Sequence, residues 1–194
     1  MKVNEFLENV RSQEVVTLEC DVSVPGPQAQ ALLAAGRGVT LAEYLNHPDR
    51  RSERCTFRYG HLIGPGLNSA ELDDWQSRFP GYPLPEDLRQ FLLQANGVHL
   101  WADLEEQRAY FGILPLKDWS DAASGPRAYV FDAPPRTALV ISYQQDTAGF
   151  AVLDTTGPTY LWCDLIGEPE PIGSTVEDLL THWWDHCRLD PREG

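Results

Sequence analysis

Beyond Gly97 the apolar residues fall into a series of short runs whose period shifts toward two, and this pattern limits what the second half of the chain can become. Side chains two apart share one face of a strand, whereas a helix needs spacings of three and four. The runs are Val98 to Trp101, Tyr110 to Leu114, Ala138 to Tyr143, Phe150 to Asp154 and Tyr160 to Asp164. Asp154-Thr155-Thr156-Gly157 joins the last two as a hairpin loop, so that pair is expected to be antiparallel.

Helical signals bracket these strands. Asn68 with Glu71 forms a cap-like pair opening a helix through Leu72, Trp75 and Phe79, which Pro80, Gly81 and Pro83 close. Pro85 suits a first helical turn, Glu86 and Asp87 favour the positive end of the helix dipole, and Leu88, Phe91 and Leu92 form one apolar face. Asn96-Gly97 is read as the stop of that helix. Ser174 with Glu177 is read as a capping box for a last helix carrying Val176, Leu179, Leu180, Trp183 and Trp184. Nearer the start, the pattern predicts a helix over Val3 to Val10 and a strand through Val16, Leu18, Cys20, Val22 and Val24 that Pro25-Gly26-Pro27 ends. Thr40 and Glu43 open a short helix over Leu41 to Leu45, and Cys55, Phe57 and Tyr59 alternate like a strand before Gly64-Pro65-Gly66. The expected fold class is α+β, a mainly antiparallel sheet with helices packed around it.

The length of 194 residues suits one domain, or one domain with an N-terminal extension, and 42% hydrophobic content supplies a real core. No apolar leader opens the sequence and no run approaches a membrane span, so a cytoplasmic protein without a membrane partner is expected. Cys20, Cys55, Cys163 and Cys187 lack Cys-x-x-Cys spacing and are read as free thiols. A net charge of −14 argues against nucleic-acid binding. The acidity is uneven. Up to Pro65, seven bases meet eight acids, whereas from Gly66 onward eight bases meet 21 acids. Such a surface steers association with a basic partner.

The order of motifs resembles the SMI1/KNR4 (SUKH) family. The resemblance lies in Ile63-Gly64, the acidic helix around Glu71 and Trp75, Leu84-Pro85-Glu86-Asp87 leading to Phe91-Leu92, and Asn96-Gly97. It continues through Phe111-Gly112-Ile113, the pair Phe150 to Asp154 and Tyr160 to Trp162, and the helix Ser174 to Leu180. Val98 departs from it, since the family often has a second glycine there. The resemblance implies residues 63–190 as the SMI1/KNR4-like domain and does not cover what precedes it. The capping box and strand alternation of residues 1–62 are read as an N-terminal extension (helix, strand, short helix) packed on that domain, and residues 191–194, after Asp190-Pro191, as a frayed tail. The resemblance also implies binding without catalysis: an immunity protein neutralising a cognate polymorphic toxin, delivered by type VI or contact-dependent secretion, through an acidic surface. A regulatory scaffold without a toxin is the alternative, and a metal-dependent enzyme the third reading.

The residues expected to touch a partner are Trp101, then Asp103, Glu105 and Glu106 in the loop Ala102 to Gln107 just after it, and Glu168 and Glu170 in a second loop, Ile166 to Gly173, held extended by its prolines. Trp101 ends a strand beside acids, as an aromatic anchor for a basic protein would. Trp75, Trp183 and Trp184 occupy apolar helix positions and are read as core. His182 and His186, four apart with Cys187 adjacent, have zinc-ligand spacing. They lack the glutamate of a metalloprotease helix and a second ligand cluster, so helix-end histidines are the plainer reading and no metal or other cofactor is expected. No serine elbow or glycine-rich phosphate loop is written, and the pairs Asp73-Asp74 and Glu105-Glu106 diverge if helical.

Overall fold

A computed structural model describes residues 1–34, 47–105, 111–122, 138–144, 150–155, 157, 159–163 and 169–186. They fall into two compact units, Met1–Val16 with Tyr59–Gly194, and Thr17–Arg58.

In the larger unit the first helix, α1 (Val3–Ser12), buries Phe6, Leu7 and Val10 along one stripe. Full burial of three such side chains contributes about 1.5–3 kcal/mol each. Helix α3 (Ser69–Arg78) opens as its sequence predicts: Asn68 Oδ1 accepts from the Glu71 amide at 3.0 Å, and Glu71 Oε2 accepts from the Asn68 amide at 2.8 Å. Helix α4 (Glu86–Leu92) buries Leu88, Phe91 and Leu92 completely.

Helix α4 stops before Asn96-Gly97, contrary to the capping role expected of that pair. The Leu67 amide takes up the Leu92 carbonyl at 2.9 Å and the Gln94 amide that of Phe91, so the last turn is satisfied early. Asn96 and Gly97 lie instead in strand β3 (Ala95–Asp103). Gly97 has φ 95° and packs against Pro115, where a Cβ would stand 3.0 Å from the Pro115 nitrogen.

Both sheets are antiparallel. In one, β3 lies between the last residues of β2 (Arg51–Pro65) and β4 (Phe111–Ile113), and β4 pairs with β7 (Ser142–Gln144). The other runs β10 (Glu170–Gly173), β9 (Thr159–Cys163), β8 (Phe150–Asp154), β6 (Ala138–Val140), β5 (Ser120–Asp121). The β8–β9 hairpin is antiparallel, as its loop predicts. The single strand expected over Ala138 to Tyr143 is two strands in different sheets. Fully buried Ile141 makes the crossing: its amide donates to Ala151 and its carbonyl accepts from Leu114, so its backbone is paired on both sides.

The last helix, α5 (Val176–His186), starts one residue later than a Ser174–Glu177 box would place it. Thr175 and Asp178 form the cap: Asp178 Oδ2 accepts from the Thr175 amide at 3.0 Å, and the Asp178 amide donates to Thr175 Oγ1 at 3.2 Å. Glu177 faces outward to Lys2 at 3.0 Å. Trp183 is buried, and Trp184 packs edge-on to Phe6 at 6.1 Å.

The smaller unit places β1 (Val16–Val24) beside the first part of β2. It also contains α2 (Pro27–Ala34), a helix the Pro25-Gly26-Pro27 break concealed because Pro27 begins it. The Leu41 to Leu45 helix lies outside the described residues. Among the described residues Cys20, Cys55 and Cys163 form no disulfide, and Cys187 lies outside the description.

Candidate functional site

Of the residues expected at the partner surface, the structure describes Trp101, Asp103, Glu105 and Glu170. Trp101 is half-buried in β3 with φ 51°, alone among the described non-glycine residues in having a positive φ. A register shift opposite His61 creates the bulge that holds it: Gly60 pairs with Ala102 and Leu62 with His99, leaving two residues of β3 against one of β2. Asp103 is 6% exposed, and its Oδ1 accepts from the Glu105 amide at 2.9 Å. This carboxylate therefore shapes the turn that carries exposed Glu105.

Glu106 and Glu168 lie outside the described residues. Glu170 is exposed, but it starts strand β10, where a loop was expected, and pairs with Trp162 of β9. It thus belongs to a different sheet from Trp101. His182 stacks obliquely on Trp162 with centroids 5.4 Å apart, while the His186 side chain and Cys187 are outside the description. Among the described residues, no group of three or more His, Cys, Asp or Glu is placed to hold a metal ion.

A second feature emerges from helix α3 upward. Trp75, buried on its inner face, meets the Phe79 ring at 5.0 Å and the Trp119 ring edge-on at 6.3 Å. Gln76 fixes the turn after the helix. Its Nε2 donates to the Phe79 and Tyr82 carbonyls, each at 3.1 Å, and its Oε1 accepts from the Leu84 amide at 3.1 Å. Phe79 is left 43% exposed and Tyr82 half-buried.

The opposite wall comes from the turn after β4, where Asn96 Oδ1 accepts from the Leu116 amide at 2.8 Å and Trp119 Nε1 donates to the Leu114 carbonyl at 2.8 Å. The two walls are joined by the Tyr82 hydroxyl, which donates to Asp121. That hydrogen bond, with burial and the carboxylate charge adding to it, pushes the Tyr82 hydroxyl up to about 12. The hydroxyl stays protonated at neutral pH.

Together these residues enclose an open groove of about 690 Å³, floored by Trp75, Leu116 and Leu139 and bordered by Glu71, Asp74 and Asp121. Its volume falls in the range of ligand and peptide clefts. Reading Trp75 as core is correct, but its neighbours Phe79, Tyr82 and Trp119 went unassigned. The exposed aromatic at the end of an acidic helix was the one available signal.

The chain is thus an α+β protein of two antiparallel sheets and packed helices, with an aromatic groove on the larger unit. A model of the SMI1 / KNR4 family (SUKH-1) matches residues 66–182, more than half of the chain, and the chain belongs to that family. A comparison with curated proteins gives no match. The groove lining lies wholly within the matched span. No helix of the described residues is long and apolar enough to cross a membrane.

Proposed function

We propose that this chain is an immunity protein, acting by binding rather than catalysis to neutralise one cognate polymorphic toxin. The carrying observation is the Trp75–Phe79–Tyr82–Trp119 groove, whose apolar walls remain open to solvent with carboxylates along the border. Aromatic side chains in partly desolvated pockets supply much of the affinity at protein interfaces, while charge around them speeds encounter. The net charge of −14 favours a toxin with a basic face. Membership of a family that includes immunity proteins supports the same reading.

Co-expression with the toxin encoded beside this chain tests it. The expected result is rescued growth and a complex that co-elutes on gel filtration, both weakened by Phe79→Ala with Trp119→Ala in a protein that keeps its far-UV spectrum. Absence of both rescue and complex would overturn the proposal.

A further inference from the structure

The geometry points to a specific occupant for the groove: an arginine side chain of the protein partner, its stem against the aromatic walls and its guanidinium among the bordering carboxylates. This rests on the reading of the chain as a toxin binder and names what that surface would grip.

The argument starts from which hydrogen-bonding groups remain available. Two donors of the walls are used inside the protein, Trp119 Nε1 by the Leu114 carbonyl and the Tyr82 hydroxyl by Asp121, while the Arg78 guanidinium pairs with Asp74 at 2.9 Å through one of its nitrogens. Acceptors at the border include the Tyr82 oxygen and the carboxylates of Glu71 and Asp74. A carboxylate has about four lone-pair positions, so one internal bond each does not exhaust Glu71 or Asp74. An aromatic surface with three carboxylates against two cations, one of them already paired, suits a ligand that is cationic, flat and rich in donors. Guanidinium meets each condition, carrying five N–H groups in a plane that stacks on aromatic rings. Phe79, 43% exposed on a protein surface, supplies a ring for that stacking. Arg78 and Lys117 are the opposing features, cations of the same groove that repel an incoming one, the first of them offset by its pairing with Asp74.

The test uses the full chain and two short peptides, acetyl-Ala-Arg-Ala-amide and its citrulline counterpart, which keeps the shape and loses the charge. The Trp119 indole N–H resonance, assigned with Trp119→Phe, reports on the groove. The arginine peptide should shift it saturably and bind roughly tenfold more tightly than the citrulline peptide, as a cation–π contact with charge-assisted hydrogen bonds would give. Phe79→Ala, an exposed position whose loss leaves the core intact, and Asp121→Asn should each abolish that preference, while Lys117→Ala should strengthen arginine binding. Equal affinity for the two peptides, no shift at millimolar concentration, or a preference that survives Phe79→Ala would overturn the assignment. Arginine selectivity without rescue of toxicity would remove the immunity reading and leave the groove's chemistry standing; rescue without selectivity would do the reverse.

Discussion

The Nδ1 of His61 accepts a hydrogen bond from the backbone amide of Trp101 at 3.1 Å, and the two rings sit 4.5 Å apart. Trp101 has a left-handed backbone, which costs a residue with a side chain roughly 1–2 kcal/mol. The bond from His61 and the ring contact help to hold it there. A neutral imidazole accepting at Nδ1 carries its proton on Nε2, so this contact requires the uncharged ring.

Burial holds the His61 imidazole down at about 4, against 6.5 for the exposed ring. As pH falls, the unfolded chain therefore takes up a proton first. The contribution of His61 to stability is complete above about 6.5 and is lost as pH drops toward about 4. Discounted for the ring's partial exposure, this loss is on the order of 1 kcal/mol. His99, also lowered by burial, adds a slope of the same sign, so the informative quantity is a difference. Urea denaturation across this pH interval should show a shallower decline in His61→Gln than in the parent. Parallel curves would exclude His61 as the source.

Tyr160 is fully buried, and among the described residues its hydroxyl has no hydrogen-bond partner. Burial raises its pKa, with the charges of Asp87 and Asp178 adding to that, so it stays neutral and its solvation is lost on folding. Removing an unsatisfied hydroxyl while keeping the ring gains back part of that desolvation cost. Tyr160→Phe should raise stability by about 1 kcal/mol, read as a higher denaturation midpoint with an unchanged slope. A loss of stability would mean that the hydroxyl is bonded in solution.

Helix α1 docks where its sequence is amphipathic, with Met1 donating from its amino group to Thr181 Oγ1 at 2.5 Å and Lys2 pairing with Glu177. The exposed ion pair adds little, whereas Phe6, 1% exposed, fills the core beside Trp184. Phe6→Ala should cost about 3–5 kcal/mol, and Lys2→Ala less than about 1 kcal/mol. Deleting the first 59 residues should leave an aggregation-prone domain. Equal stability in the two point variants would show that α1 does not complete the core.

What was readable in the sequence is what local interactions decide. The Asn68–Glu71 box, the Leu88–Phe91–Leu92 face and the β8–β9 hairpin each depend on residues close along the chain, and each formed where expected. Ile141 could not be read as a crossing point, because the apolar run from Ala138 passes through it toward Tyr143 with no Gly or Pro to break it, and only pairing with Leu114 and Ala151 divides the run. The groove was hidden for the same reason. Its Tyr82–Asp121 link spans 39 residues, and Trp75 meets Trp119 across a similar stretch. Thr175 displaced Ser174 as the cap because either hydroxyl satisfies the motif and the fit of α5 chooses between them.

The acidic turn after Trp101 separates folding from binding within two residues. Asp103 is 6% exposed and accepts from the Glu105 amide, so its carboxylate organises the turn from inside, while the Glu105 side chain is exposed. Reversing charge at both sites together would confound the two roles. Asp103→Lys places an ammonium where a carboxylate was accepting a backbone hydrogen bond, and both the lost bond and the new buried charge are unfavourable, by about 3 kcal/mol together. Glu105→Lys should leave stability within about 0.5 kcal/mol, as for most surface substitutions. If this turn touches a basic toxin, Glu105→Lys slows association and flattens its salt dependence, leaving dissociation nearly unchanged. Stopped-flow mixing with the toxin at two salt concentrations reads both quantities. An unchanged association rate in a folded Glu105→Lys protein would remove this turn from the interface and leave the aromatic groove as the surface to map.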